Sequence, residues 1–348
     1  MKDFYQLLQL STAVLKSKIK EAATKKEKHH LITALIVKNF LTILFCIIVV
    51  SIFQSCFGSE NSIVGVITVI AILTFRFSNL DFETKQAGTI MAVIFGLLII
   101  VPHYTVSCNP FLAWAINFVT ILFILVTTCH NVILSNQFVY VLAFLLLYGN
   151  PTTDSVVFTN RATGLLVGAL VVILVFTIKQ RNIKFNRSFI DVIRDFGIND
   201  KRRHWQIKLA VGISLALFLA RVLNIPYSMW IGFSVMSIMQ PDKGKHNERV
   251  RKRHLHITVG SLIILGISLI VPKDKLGLFS IIGGLLAGFS GSYRWMTTFN
   301  CFGAVVSASS RLGVTGAVLQ RILNNILGAI FCLVFCYIYD KWVVYDEE

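Results

Sequence analysis

Charged residues are scarce in this sequence of 348 residues. They make up 14% of it, against about 25% in an ordinary soluble domain, whereas hydrophobic residues make up 55%. So much apolar surface does not fit inside one soluble core, and it falls in blocks of about 15–20 residues, the length that crosses a bilayer. The composition therefore excludes an ordinary soluble protein and predicts an all-α polytopic membrane protein.

Motifs for catalysis and cofactor binding are also missing. The sequence has no G-x-x-x-x-G-K-[ST] segment for nucleotide phosphates and no H-E-x-x-H segment for zinc. Its seven cysteines lie mostly in apolar runs. Cys332 and Cys336 share a helix face, but no His or acidic residue is placed as a further ligand. We therefore expect no enzyme activity, no catalytic residue, no cofactor and no metal site.

Acidic residues are lacking deep inside the predicted spans. Asp81, Glu83 and Asp154 all lie at predicted helix ends. Intramembrane carboxylates are the usual relay for protons or sodium ions. Their absence weakens a simple carboxylate-based proton antiport, and the absence of a nucleotide site leaves secondary or channel-like movement of a solute.

What the sequence has instead is a series of twelve apolar segments, arranged as two groups of six around a polar linker. We predict spans near 34–53, 63–75, 86–101, 111–128, 133–147 and 161–178, and near 207–222, 230–240, 255–271, 276–290, 296–310 and 320–339. The predicted domains are an amphipathic, basic N-terminal tail (1–30), a first six-helix half (31–178), a linker (179–206), a second six-helix half (207–340) and an acidic C-terminal tail (341–348).

The two predicted halves share a short pattern. The sixth span of each half opens with Arg, six further residues and Gly-Ala, which gives Arg161 with Gly168 and Arg321 with Gly328. An even number of spans in each half makes this a parallel repeat, as in transporters built from two similar halves.

Basic residues are unevenly distributed between the predicted sides of the membrane. Of the 33 lysines and arginines, all but six are predicted to lie on the cytoplasmic side. The six on the other side are Arg161, Arg221, Lys273, Lys275, Arg311 and Arg321. By the positive-inside rule, both termini are cytoplasmic. The net charge of +16 then faces anionic lipid headgroups rather than nucleic acid. We expect a bacterial plasma membrane location and leave a homo-oligomer open.

The region 203–260 carries a distinctive motif. It contains an Arg-His pair, a proline and a tryptophan, a Gln-Pro turn with a glycine, two spaced arginines and a helical glycine. These residues are Arg203, His204, Pro226, Trp230, Gln240, Pro241, Gly244, Arg249, Arg253 and Gly260. The motif resembles that of the fusaric-acid-resistance-like (FUSC) family of integral membrane proteins, related to aromatic acid exporters. It departs from the family pattern at His246, where Thr is usual, and at His256-Ile257, where Gly-Thr is usual.

The resemblance implies export of small organic, aromatic carboxylate-type anions by a secondary mechanism. The candidate substrate-binding residues are four arginines at span ends and one tryptophan: Arg249, Arg253, Arg161, Arg321 and Trp230. A guanidinium offers a planar fork to a carboxylate, but arginines at span ends also reach lipid phosphates. Trp230 could equally belong to an interfacial aromatic belt. A passive anion channel and a non-transport envelope scaffold remain as alternatives.

Overall fold

The computed structural model describes residues 2–198, 200–242 and 246–343, and within these ranges the chain is helical and contains no strand. The first seven helices are α1 (Lys2–Gln9), α2 (Thr12–Glu21), α3 (Lys25–Phe57), α4 (Ser62–Phe75), α5 (Thr84–Thr105), α6 (Pro110–Thr128) and α7 (Gln137–Tyr148). They are followed by α8 (Ser155–Gln180), α9 (Phe189–Ile198), α10 (Asp200–Val222), α11 (Met229–Ile238), α12 (His246–Ile270), α13 (Leu276–Ser290) and α14 (Tyr293–Trp342).

Local sequence signals explain where several of these helices begin and end. The Asp154 carboxylate accepts hydrogen bonds from the first amides of α8, and Asn109 does the same for α6, whose first residue is Pro110. Gly291, at a φ of 61°, ends α13 in the left-handed region. These caps supply partners for terminal backbone groups that the helices themselves leave unpaired.

Seven of the described helices are long and apolar enough to cross a membrane: α3, α5, α6, α8, the segment 201–222 of α10, the segment 248–270 of α12, and α14. Shorter apolar helices lie at Ser59–Phe75, Gln137–Tyr148 and Met229–Ile238. The prediction of an all-helical polytopic protein is confirmed. The number of crossings, twelve by sequence, stays a prediction.

Some predicted boundaries differ from the helices. The span predicted from 133 begins as a helix only at Gln137, because Ser135 has a φ of 53° and interrupts it. The span predicted to end at 240 ends at Ile238, before the Gln240-Pro241 turn. The basic run 25–30, predicted as tail, is already the first part of α3.

The long helix α14 is interrupted at Gly313. This residue has φ 67° and ψ 166°, a conformation essentially restricted to glycine. The interruption falls between the two spans predicted at 296–310 and 320–339, so α14 consists of two helical segments joined at one residue.

The chain divides into two compact units: a first unit of Met1–Ile48 and Asn247–Ile326, and a second unit of Val49–His246 and Leu327–Glu348. Both α3 and α14 contribute residues to each unit. The boundaries cut across the two predicted six-helix halves, so the division into halves stays a prediction.

In the first unit, the N-terminal segment packs against the end of α13. Leu15 is fully buried in a cluster with Leu31 and Leu35. The Thr12 hydroxyl donates to the Gly288 carbonyl at 2.9 Å and Lys16 Nζ to the Ser290 carbonyl at 3.0 Å. The predicted amphipathic tail is thus two short helices that use a buried leucine and two polar side chains to hold the last carbonyls of α13.

In the second unit, polar side chains gather at the two ends of α8. At one end, Arg161 Nε donates to Asn61 Oδ1 at 2.9 Å. At the other end, Gln180 Nε2 donates to the Ser78 carbonyl at 3.0 Å, and Ser78 Oγ contacts Asn136 Oδ1 at 2.8 Å. Arg161 and Gln180 are nineteen positions apart on the helix, about 28 Å at 1.5 Å per residue. That length is close to the roughly 30 Å of a hydrocarbon core.

The glycines of the repeated pattern lie where helices approach closely. A Cβ on Gly168 would lie 2.4 Å from Thr68 Oγ1 of α4, and one on Gly328 would lie 2.6 Å from Ser234 Cβ of α11. Each repeated glycine therefore packs on the short apolar helix that is the second predicted span of its own half.

Candidate functional site

The five predicted substrate-binding residues fall into different units. Arg249, Arg253 and Arg321 belong to the first unit, whereas Arg161 and Trp230 belong to the second.

Arg253 lies two turns inside α12 and reaches α14. Its Nη2 donates to Asn325 Oδ1 at 3.1 Å, and its side chain also contacts Tyr293. Asn325 is held in place because its own Nδ2 donates to the Arg321 carbonyl at 2.7 Å. The amide of Asn325 therefore links the Arg253 guanidinium to the backbone of Arg321.

Arg321 is close enough to Arg253 to act on it electrostatically. Both Arg321 and Asn325 are buried. From the sequence, we expected Arg253 and Arg321 at opposite ends of their spans. The structure brings them together, because neither lies at a helix terminus: Arg253 is about 10 Å into α12 and Arg321 follows the break at Gly313 by two turns.

The hydrogen-bonding capacity of Arg253 is not filled. Its Nε is buried and has no hydrogen-bond partner among the described residues. No carboxylate is among the groups that act on this guanidinium in the described part of the chain. A buried polar atom without a partner is rare in native proteins. Arg253 therefore keeps a positive charge and a donor available for an anion.

Two further contacts hold α12 against the start of α14. The Arg249 guanidinium lies 5.4 Å from the centre of the Tyr293 ring, which is a cation–π distance. His256 Nδ1 and Thr298 Oγ1 are 3.0 Å apart. A Cβ on Gly260 would lie 2.2 Å from the Thr298 carbonyl oxygen, so the motif glycine permits a close approach of the two backbones.

Arg161 and Trp230 belong to the second unit, and their role in substrate binding stays a prediction. Arg161 binds Asn61 and also donates through Nη1 to the Asn150 carbonyl at 2.5 Å, so it ties two loops together. Trp230 is 2% exposed, and its ring stacks on Tyr227 at 5.0 Å.

The remaining motif residues shape the turns around α10 and α11. Gln240 Nε2 donates to the Met236 carbonyl at 3.0 Å and so caps α11 just before Pro241, which is exposed. Arg203 donates to the Gly197 carbonyl at 2.7 Å, and His204 and Pro226 lie in α10 and in the turn after it. Gly244 lies outside the described residues.

One ion pair, between a buried lysine and an exposed aspartate, was not anticipated from the sequence. Lys208 Nζ lies 2.8 Å from both carboxylate oxygens of Asp340. Lys208 is 5% exposed, and its ammonium is 5.5 Å from the Tyr339 ring. Asp340 follows the predicted end of the last span by one residue, and no partner was predicted for it. The available signal was a lysine at the start of one apolar helix and an aspartate at the end of another.

The long apolar helices and the arginines that lie among them define the chain as a helical membrane protein. Residues 215–335 match the family of fusaric acid resistance protein-like domains, FUSC_2. This match covers about a third of the chain, and it confirms the resemblance drawn from the motif. The match extends well past the motif region 203–260 and includes Arg321, whereas Arg203 and His204 precede it. No curated protein and no solved structure matches the chain.

Proposed function

We propose that this protein is a secondary transporter that exports small organic anions of the aromatic carboxylate type across a bacterial plasma membrane. Its twelve predicted helical segments each cross the membrane, in two similar halves, and both termini are cytoplasmic. The fusaric acid resistance-like domain supports the transporter class. The aromatic substrate class follows from the resemblance to aromatic acid exporters.

The observation that carries the proposal is the state of Arg253. Its guanidinium lies among apolar helices, bonds to the side chains of Asn325 and Tyr293, neither of which is a carboxylate, and keeps a buried Nε without a hydrogen-bond partner among the described residues. An ionised group in a low-dielectric interior is costly unless an opposite charge compensates it. An organic carboxylate would supply that charge and fill the open donor. Arg321, held nearby through Asn325, adds to the attraction.

The two polar ends of α8 support the twelve crossings. α4 is too short for the usual length criterion, yet it connects Asn61 at the Arg161 end with Ser78 at the Gln180 end. The packing of Gly168 on α4 and of Gly328 on α11 supports the repeat between the halves.

The test is flux of labelled benzoate in proteoliposomes, with Arg253→Gln, Arg253→Lys and the control Arg311→Gln beside the wild type. Arg311 is an exposed arginine on the same long helix as Arg321, so its variant removes one charge away from the proposed site. Loss of a charge-assisted hydrogen bond, about 1.5–3 kcal/mol, corresponds to a flux roughly ten- to a hundredfold lower in Arg253→Gln. Arg253→Lys keeps the charge but not the planar fork, so we expect an intermediate flux.

Equal flux in Arg253→Gln and Arg311→Gln would contradict the role of Arg253. Benzoate flux that follows the membrane potential without counterflow would favour the passive anion channel. The absence of flux for every anion, with correctly inserted protein, would leave the envelope scaffold.

A further inference from the structure

A cavity lined by an arginine lies within the second unit, beside Tyr227, whose ring stacks on the proposed residue Trp230. It has a volume of about 250 Å³ and lies where the end of α10, the turn before α11 and the loop after α7 meet. Its polar lining comes from Tyr148, Arg221, Asn224, Tyr227 and Ser228, and its apolar lining from Val106, Pro151, Ala220 and Ile225. The described lining contains no Asp or Glu.

Arg221 brings the charge to this cavity. Its Nη1 donates to the Thr105 carbonyl at 2.5 Å, and its Nη2 donates to the Cys108 carbonyl. Both acceptors are neutral backbone groups at the end of α5, and they hold the guanidinium in a fixed orientation. Arg221 also hydrogen-bonds the Tyr148 side chain. A guanidinium has five N–H donors, so donors remain after these three contacts, and none of the three partners is a carboxylate.

The backbone next to Arg221 has an unusual conformation. Asn224 and Tyr227 have φ values of 51° and 54°, and both line the cavity. Asparagine tolerates the left-handed region, but a tyrosine there is uncommon. Such residues concentrate at ligand-binding and active sites, where the surroundings hold them in place. Tyr227 is held by its stacking on Trp230.

We propose that this cavity is a binding site for a small organic carboxylate. The carboxylate would lie against Arg221 with the Tyr148 and Ser228 hydroxyls as further donors, and the organic group would lie against the apolar wall. The volume is just below the roughly 300–1,000 Å³ of drug-sized ligand sites, which suits a small acid. The choice of a carboxylate rests on the proposed function, whereas the cavity and its charge do not.

The test is equilibrium binding of labelled benzoate to the purified full chain in detergent, with benzyl alcohol as the neutral competitor of similar shape. Two variants change the cavity in opposite ways. Arg221→Gln removes the charge and keeps one donor. Asn224→Asp places a carboxylate beside Arg221 at a position whose backbone conformation aspartate also adopts.

We expect each of these variants to lose one benzoate site or to weaken it at least tenfold, while Arg253→Gln retains that site. Benzyl alcohol should compete at least tenfold less well than benzoate. Three results would overturn the proposal. The first is wild-type affinity and stoichiometry in both Arg221→Gln and Asn224→Asp. The others are equal competition by benzyl alcohol and no benzoate binding by the wild type. Because binding is measured without flux, an absence of transport with intact binding here would contradict only the proposed function.

Discussion

Four charged side chains from different segments surround the imidazole of His130. Its Nε2 lies 3.8 Å from Asp81 and 3.6 Å from Asp195, and Arg187 contacts the same ring nitrogen. Arg202 lies on the carbonyl side of the residue. Burial, with Arg202 and Arg187, lowers the pKa of His130 below its ordinary value of 6.5, although both carboxylates act in the opposite direction.

This shift predicts a loss of stability in mild acid. Because the folded-state pKa is below 6.5, the unfolded chain binds more protons than the folded protein in the window beneath that value. Stability is therefore fully present above pH 6.5 and is lost as the pH falls through the folded-state pKa. The melting temperature of the protein in detergent, measured between about pH 5 and 8, should fall on the acid side.

The control for this prediction is His130→Gln, which cannot be protonated. Its melting temperature should depend less on pH over the same range than that of the wild type. A wild type and a variant with the same pH dependence would show that His130 does not carry the effect.

Residue types at the candidate site could be predicted from the sequence, but their partners could not. Arg249, Arg253 and Arg321 stand out because they are cations near apolar runs. The contacts of Arg253 with Asn325 and of Arg249 with Tyr293 depend on how α12 packs against α14, and no spacing within either helix specifies that packing. For the same reason, the pairing of Lys208 with Asp340 was missed.

At the scale of the helices, the contact between α12 and α14 depends on a glycine, Gly260, which has no side chain. Gly260 leaves room for the Thr298 carbonyl, and a Cβ at this position would lie 2.2 Å from that oxygen. Since the obstacle is backbone rather than the end of a flexible side chain, it cannot move without shifting the helix. The same contact positions Arg253, which lies two turns earlier on α12.

Gly260→Ala should therefore lower stability by about 1–3 kcal/mol, the usual effect of overpacking. Gly266→Ala is the matched control, because it lies on the same helix with no atom within 4 Å of an added Cβ. Alanine favours the helix over glycine by up to about 1 kcal/mol, so Gly266→Ala should not lower the stability of the protein. Unfolding in detergent measures both, and a Gly260→Ala protein as stable as Gly266→Ala would contradict the close packing.

The positions of the helices could be predicted from the apolar runs, but the residues with left-handed backbone conformation that interrupt or separate them could not. The span predicted at 276–290 coincides with α13. The left-handed residues Ser135 and Tyr227 have no reliable sequence signal, because neither is a residue that favours positive φ. The interruption at Gly313 has one, a glycine between two apolar runs, and the predicted gap between spans includes it.

For the whole molecule, composition was enough to predict the class. The low charge content and the long apolar runs predicted a helical membrane protein, and the motif around Gln240-Pro241 predicted the family of the domain at residues 215–335. The two compact units were not predicted. They depend on contacts between segments far apart in the chain, such as the N-terminal helices and α13, for which one sequence offers no pairing signal.

The most direct test of organic anion transport is counterflow by the wild-type protein. Proteoliposomes loaded with unlabelled benzoate would be diluted into a trace of labelled benzoate, with no ion gradient and no membrane potential. A carrier exchanges one molecule for another, so the account predicts a transient accumulation of label above equilibrium, and benzyl alcohol inside should not drive it. Label that only equilibrates, or that never enters, would contradict a carrier of organic anions.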